Sequence, residues 1–156
     1  MPTPSATVTA STGEDRAALF ARFIPVKLED ILTGWGPVPA VVRSSNQSGP
    51  WDVPGSSRTV HLKDGSTARE AVTECRTPAY FAYTVKDFTN PVRHLAAEAH
   101  GQWWFDERPG GGTDVRWTYA FIPHNAAAAV ALQPVVRHAW RQFMRVGLER
   151  LLAQGR

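Results

Sequence analysis

GQWWFDERPGGGTDVRWTYAF, residues 101–121, is the stretch whose reading decides the fold. After its glycine run, Val115, Trp117, Tyr119 and Phe121 alternate with Asp114, Arg116 and Thr118, and before it Trp103 and Phe105 alternate with Gln102 and Asp106. A period of two with one apolar side is the pattern of a half-buried antiparallel strand. If the chain reverses about Gly110, Trp103 comes opposite Trp117 and Phe105 opposite Val115, so both apolar faces coincide. That register predicts that the neighbouring tryptophans part, Trp103 pointing inward and Trp104 outward. RPGGGTD is read as the turn itself, because no lysine follows it and it leads into a strand rather than a helix, as a phosphate loop would.

Followed upstream, the inward face of the same strand carries Leu95, Ala97, Ala99 and Gly101. Small residues there predict a curved sheet with room above its middle. The pattern leaves open whether the protein's own core or a ligand fills that room.

The rest of the chain supplies partners for this hairpin. Residues 1–4 read as a short tail and ATVTAS as an opening strand. From Glu14 the apolar residues recur at helical spacing but are interrupted by Pro25, which predicts two short helices ending at GWGPVP, residues 34–39. Further strands are predicted near 39–47, 56–62, 66–75, 79–86, 95–106 and 113–123. Asn125 is positioned to cap AAAAVALQ, and Pro134 either kinks that helix or opens the next at its first turn. The last helix carries Val136, Trp140, Phe143, Met144, Leu148 and Leu151 on one stripe, and Arg137, Arg141 and Arg145 on a face read as solvated.

Polar residues on inward faces are the candidates for chemistry. In SSRTVHLKDGSTAREAVTE, residues 56–74, a three-residue turn with Gly65 in the left-handed region pairs Val60 with Ala68 and Arg58 with Glu70. This register is preferred over a two-residue loop because it gathers Val60, Leu62, Ala68 and Val72 on one face. It also puts Arg58 and Glu70 on that face, where each must satisfy the other. Two roles stay open for the pair: fixing register at the sheet margin, or lining a cavity, with Glu70 a candidate acid or base. Phe81 and Tyr83 belong to the inward set of the next strand, and Tyr83 could offer a hydroxyl to the same space.

Composition narrows the class. A chain of 156 residues is read as one domain, residues 1–156, able to bury a core of its own. Its 17 basic and 14 acidic residues give a net charge of +3 with no like-charged block, too weak an asymmetry to imply nucleic acid. The single cysteine, Cys75, rules out an internal disulfide, and the five histidines show no metal-ligand spacing, so neither metal nor cofactor is expected. No apolar run is long enough to span a bilayer, and the N-terminus lacks a signal-peptide pattern. The expectation is a cytoplasmic protein without integral membrane association, for which a homodimer is compatible.

The order of one strand, two short helices, a long antiparallel meander and a final amphipathic helix, carried by GPWDVPGSSRTVHLKDGSTAREAVTE, PAYFAYTV, GGGTDVRWTYAFIP and HAWRQFMRVGLERLL, resembles the SRPBCC (START-like, Bet v 1-like) superfamily, in particular its polyketide cyclase/dehydrase and lipid-transport branch. The resemblance implies an α+β helix-grip fold, a curved antiparallel sheet wrapped around the C-terminal helix. It also implies a cavity for hydrophobic ligands, faced by Trp103, Trp117, Tyr119, Trp140 and Met144. With the inward positions above, the candidate ligand-binding set is Arg58, Glu70, Phe81, Tyr83, Ala99, Trp103, Trp117, Tyr119, Trp140 and Met144. The partner expected is a small hydrophobic ligand, aromatic, polyketide-like or lipid-like. Two alternatives stand beside simple binding: a cyclase or dehydratase in which Arg58, Glu70 and Tyr83 steer proton transfers, and an interaction module using an exposed Trp104.

Overall fold

The computed structural model describes residues 3–155. Seven strands form one antiparallel sheet in the order β1-β7-β6-β5-β4-β3-β2. They are β1 (Ser5–Thr12), β2 (Val41–Ser45), β3 (Ser57–Leu62), β4 (Thr67–Arg76), β5 (Tyr80–Lys86), β6 (Ala96–Glu107) and β7 (Thr113–Pro123). Two short helices, α1 (Arg16–Phe23) and α2 (Leu28–Ile31), follow β1, and α3 (Ala126–Val135) and α4 (Arg141–Ala153) end the chain. This is the α+β arrangement expected, a sheet closed on one side by helices.

The β6–β7 hairpin keeps the expected register: Trp103 pairs with Trp117 and Phe105 with Val115. Trp103 and Trp117 are both buried, and their rings stack with centroids 4.4 Å apart. Trp104 lies on the outer face beside Tyr80, with the Arg116 guanidinium 4.2 Å from its ring centroid. It is therefore half-buried among its own strand neighbours. Gly110, Gly111 and Gly112 all have positive φ, so the glycine run is the turn.

At the start of β6 the expected parity fails. The register shifts between Ala96 and Glu98, so Ala96 is buried and Ala97 exposed. A bulge adds one residue to one strand and inverts the faces beyond it, which alternation alone does not reveal. The tail also differs from expectation: Pro4 is buried and its carbonyl accepts from the Phe121 amide at 2.9 Å, while positions 1 and 2 lie outside the described residues.

The helices follow their local signals. Asp15 caps α1, accepting from the Ala18 amide at 3.1 Å, and Asn125 caps α3 through the Ala128 amide at 2.8 Å. Pro134 does not open a new helix. It lies inside α3, and a widened π turn, Val136–Trp140, carries the chain on into α4. Arg137, Arg141 and Arg145 are exposed, as a solvated face should be. At the other end, Arg22 ties α1 to the last helix: it pairs with Glu14 at 2.7 Å and donates to the Leu151 carbonyl at 2.8 Å.

The core is graded along the sheet. Phe20 and Phe23 of α1 pack on Phe105 and Trp103, filling one end with aromatic rings. Toward the other end Trp140 packs on Tyr119 and Phe121 with centroids 4.9 and 5.4 Å away. Between these two plugs open space remains under the helices.

Candidate functional site

The space between the plugs is divided in two. The larger cavity, about 240 Å³, is walled by β3, β4, β5 and β7, by Trp140 and Phe143 from the C-terminal helix, and by the 37–39 and 88–92 loops. A smaller compartment of about 40 Å³ lies toward α1 and includes Trp51, Arg58, Phe81 and Trp103 in its wall. Leu28, Leu32, Glu70, Tyr83 and Trp117 border both. Their size difference has a chemical meaning: the first is close to the range of small-molecule sites, whereas the second has room for a substituent or a water or two.

Arg58 and Glu70 lie opposite each other on β3 and β4, in the register set by the Gly65 turn. The Leu62 amide donates to Ser66 at 2.9 Å, and Asp64 accepts from the Ser66 hydroxyl at 2.6 Å, which closes the loop that fixes that register. Arg58 donates through Nε to Glu70 Oε1 at 2.9 Å, with the two side chains only 9% and 12% exposed. The guanidinium lies over the Trp51 ring, its Cζ 3.9 Å from the ring centroid. Among the described residues, Nη1 and Nη2 of Arg58 and Oε2 of Glu70 have no hydrogen-bonding partner in the protein.

Tyr83 stands next to this pair. Its partner across β6 is Gly101, and a methyl group built on Gly101 would fall inside the Tyr83 ring. The room that the sequence predicts above Gly101 is therefore filled by a tyrosine. The Tyr83 hydroxyl accepts from Trp117 Nε1 at 3.1 Å, and its own proton has no acceptor among the described residues. Burial, reinforced by the nearby Glu70 carboxylate, holds the phenol well above its ordinary pKa. Tyr119 is raised as well, by burial first and then by Tyr83 and Glu70. Both tyrosines are thus neutral donors rather than bases.

Of the ten candidate positions, Arg58, Glu70, Phe81, Tyr83, Trp103, Trp117, Tyr119 and Trp140 border one or both spaces. Ala99 and Met144 are fully buried and border neither. Trp140 also carries a buried indole nitrogen without a partner among the described residues.

Sequence reasoning passed over Trp51, Phe23 and Phe143. Trp51 belongs to no periodic element, yet a tryptophan inside GPWDVPG is a signal: the loop is stapled by the Gly55 amide to the Val72 carbonyl at 2.8 Å, which turns the indole inward. Cys75 is half-buried, and burial raises its thiol pKa, so it does not offer a thiolate nucleophile. Among the described residues no three His, Cys, Asp or Glu side chains gather as a metal site, and no helix is long and apolar enough to cross a membrane.

Comparison with known proteins agrees with this geometry. The fold is shared with Ara h 8.0201, at 15% identity and a TM-score of 0.68 over 97% of this chain and 99% of that one. It is shared also with the di-domain ARO/CYC protein BexL of the BE-7585A biosynthetic pathway, at 22% identity and a TM-score of 0.68 over 97% of this chain and 49% of that one. Protein Ms6760 from Mycobacterium smegmatis aligns at 17% identity with a TM-score of 0.64, covering 97% and 90% of the two chains. No curated protein matches the sequence. The model of the polyketide cyclase/dehydrase and lipid transport family matches residues 28–154, from α2 to the end of the last helix, and the chain belongs to that family, within the SRPBCC superfamily.

Proposed function

We propose that this protein binds a small, largely apolar molecule, aromatic, polyketide-like or lipid-like, in the cavity between the sheet and the C-terminal helix. The observation that carries the reading is a cavity of about 240 Å³ lined mostly by aliphatic and aromatic side chains, with Glu70 of the Arg58–Glu70 ion pair in its wall. Apolar walls with a few convergent polar groups are the usual make-up of such sites. Family membership supports the same reading, as does the fold shared with an ARO/CYC protein. The working unit in this reading is a single domain over residues 1–156, acting in the cytoplasm.

Displacement of the neutral probe 1-N-phenylnaphthylamine, followed by its fluorescence, tests it. The wild type should bind the probe, and Ala68→Phe, which projects a ring into the larger cavity, should abolish binding while leaving the circular dichroism native. Equal binding by both, or none by either, would end this reading.

A second reading is favoured by one specific observation: Tyr83 presents an unspent hydroxyl proton beside an ion pair at the narrow end of the cavity. In an enzyme of the cyclase or dehydratase type, Tyr83 and Arg58 would polarise a carbonyl oxygen and Glu70 would move a proton. Unchanged turnover of an accepted poly-carbonyl substrate by both Glu70→Gln and Tyr83→Phe would exclude it.

A further inference from the structure

The walls of the two spaces hold few charges. Arg58 and Glu70 border the smaller compartment, and the larger adds one more acidic or basic side chain, Asp64. Asp64 is exposed and its Oδ1 already accepts from the Ser66 amide at 2.9 Å and hydroxyl at 2.6 Å, so its charge is met by water and by its own turn. At the inner end the charge is balanced: one guanidinium, one carboxylate, 2.9 Å apart.

Balance of charge is not balance of hydrogen bonds. The Arg58–Glu70 contact uses only Nε and Oε1. Both Nη groups of Arg58 remain as donors, the Tyr83 hydroxyl is a further donor because its own proton has no acceptor while its oxygen accepts from the Trp117 indole, and Glu70 Oε2 remains as an acceptor. An anion placed on the Arg58 donors would sit beside Glu70, and a cation placed on Glu70 would sit beside Arg58. Either leaves a net charge among apolar walls, which is costly away from water. An uncharged group offering both an acceptor oxygen and a donor hydrogen meets both kinds of unspent group, the donors of Arg58 and Tyr83 and the acceptor of Glu70, at no such cost.

We infer that the ligand is uncharged, that the end entering the small compartment presents a carbonyl-type oxygen with a neighbouring O–H or N–H, and that the site discriminates against carboxylates. This rests on the reading that the cavity binds an apolar molecule, and it goes beyond that reading by assigning the ligand's polarity, its charge and its orientation. The polar end faces Arg58, and the apolar body lies in the larger cavity toward the 37–39 and 88–92 loops.

Three probes of one shape separate these ideas: naphthalene, 2-naphthamide and 2-naphthoate, titrated against the whole chain by calorimetry at neutral pH. Wild type should bind 2-naphthamide at least tenfold more tightly than 2-naphthoate. Glu70→Gln leaves Arg58 as the only charge at the inner end, so it should bind 2-naphthoate at least tenfold more tightly than wild type does. A wild-type preference for the naphthoate, or an amide-to-acid ratio that Glu70→Gln does not lower, overturns the charge assignment, while binding of naphthalene in the same series leaves the cavity reading standing. Binding of none of the three overturns the cavity reading, and the charge assignment with it. If Glu70→Gln lacks the native circular dichroism, the wild-type ratio alone decides.

Discussion

The Tyr83 ring lies flat across Gly101 of the neighbouring strand, in the place where any other residue would put its Cβ. A glycine that looks like spare room in the sequence is the seat of an aromatic ring in the fold, and the ring's position sets the hydroxyl beside Trp117 and Glu70.

Gly101→Ala should therefore act through Tyr83. The added methyl has no place without moving the ring, and overpacking of this kind costs about 1–3 kcal/mol. Urea denaturation should show that loss, and in the Tyr83→Ala background the same substitution should cost much less. Equal costs in both backgrounds would show that the ring and the glycine are not coupled.

Tyr83→Phe keeps the ring and removes the hydroxyl that accepts from Trp117 Nε1. A buried indole N–H left without an acceptor costs on the order of 1–3 kcal/mol. The change should also alter the emission of Trp117, which a mutation acting only at the surface would not do.

Tyr83 and Tyr119 should resist ionisation in the folded state. An ordinary tyrosine titrates near pH 10, and both phenols are raised above that value, chiefly by burial. A raised folded pKa means that above about pH 10 the native state holds protons that the unfolded state has lost. The stability from the neutral phenols is thus fully present below pH 10 and is lost as pH rises through their folded values. Ultraviolet titration should show no tyrosinate from these two residues before alkaline unfolding, and then both together. Their appearance near pH 10 with native circular dichroism would contradict the burial described here.

Breaking the Arg58–Glu70 pair from one side should be worse than removing it. Arg58→Met leaves a nearly buried carboxylate without its partner, at a cost of roughly 3–5 kcal/mol, whereas Arg58→Met with Glu70→Leu should be close to neutral in stability. The double variant would at the same time show what the pair contributes to ligand binding, measured apart from folding.

Much of this was legible in the chain itself. Alternation in residues 101–121 placed Trp103 against Trp117, and the choice between two turn lengths at Lys63-Asp64-Gly65 was decided by which one gathered Val60, Leu62, Ala68 and Val72. Those are local rules: side chains of a strand alternate, and a hairpin's register follows from its turn. The inward placing of Arg58 and Glu70 followed from the same rules before any cavity was visible. The parity error at Ala97 has an equally local origin, since a bulge leaves no mark in a pattern of small residues.

Strand order within the hairpins, the faces of the strands, the helix caps and the pairing of Arg58 with Glu70 are thus properties of the sequence by itself, because each depends on residues close in the chain or on one repeating period. What fills the space between sheet and helix depends on residues far apart in sequence. That Tyr83 occupies the hollow at Gly101, that Trp51 reaches in from a loop to cover Arg58, and that Ala99 and Met144 are buried away from the cavity walls, were decided only by the tertiary structure. The physical reason is that a cavity is the volume packing leaves unfilled, and how well large rings pack is settled only when all their neighbours are in place.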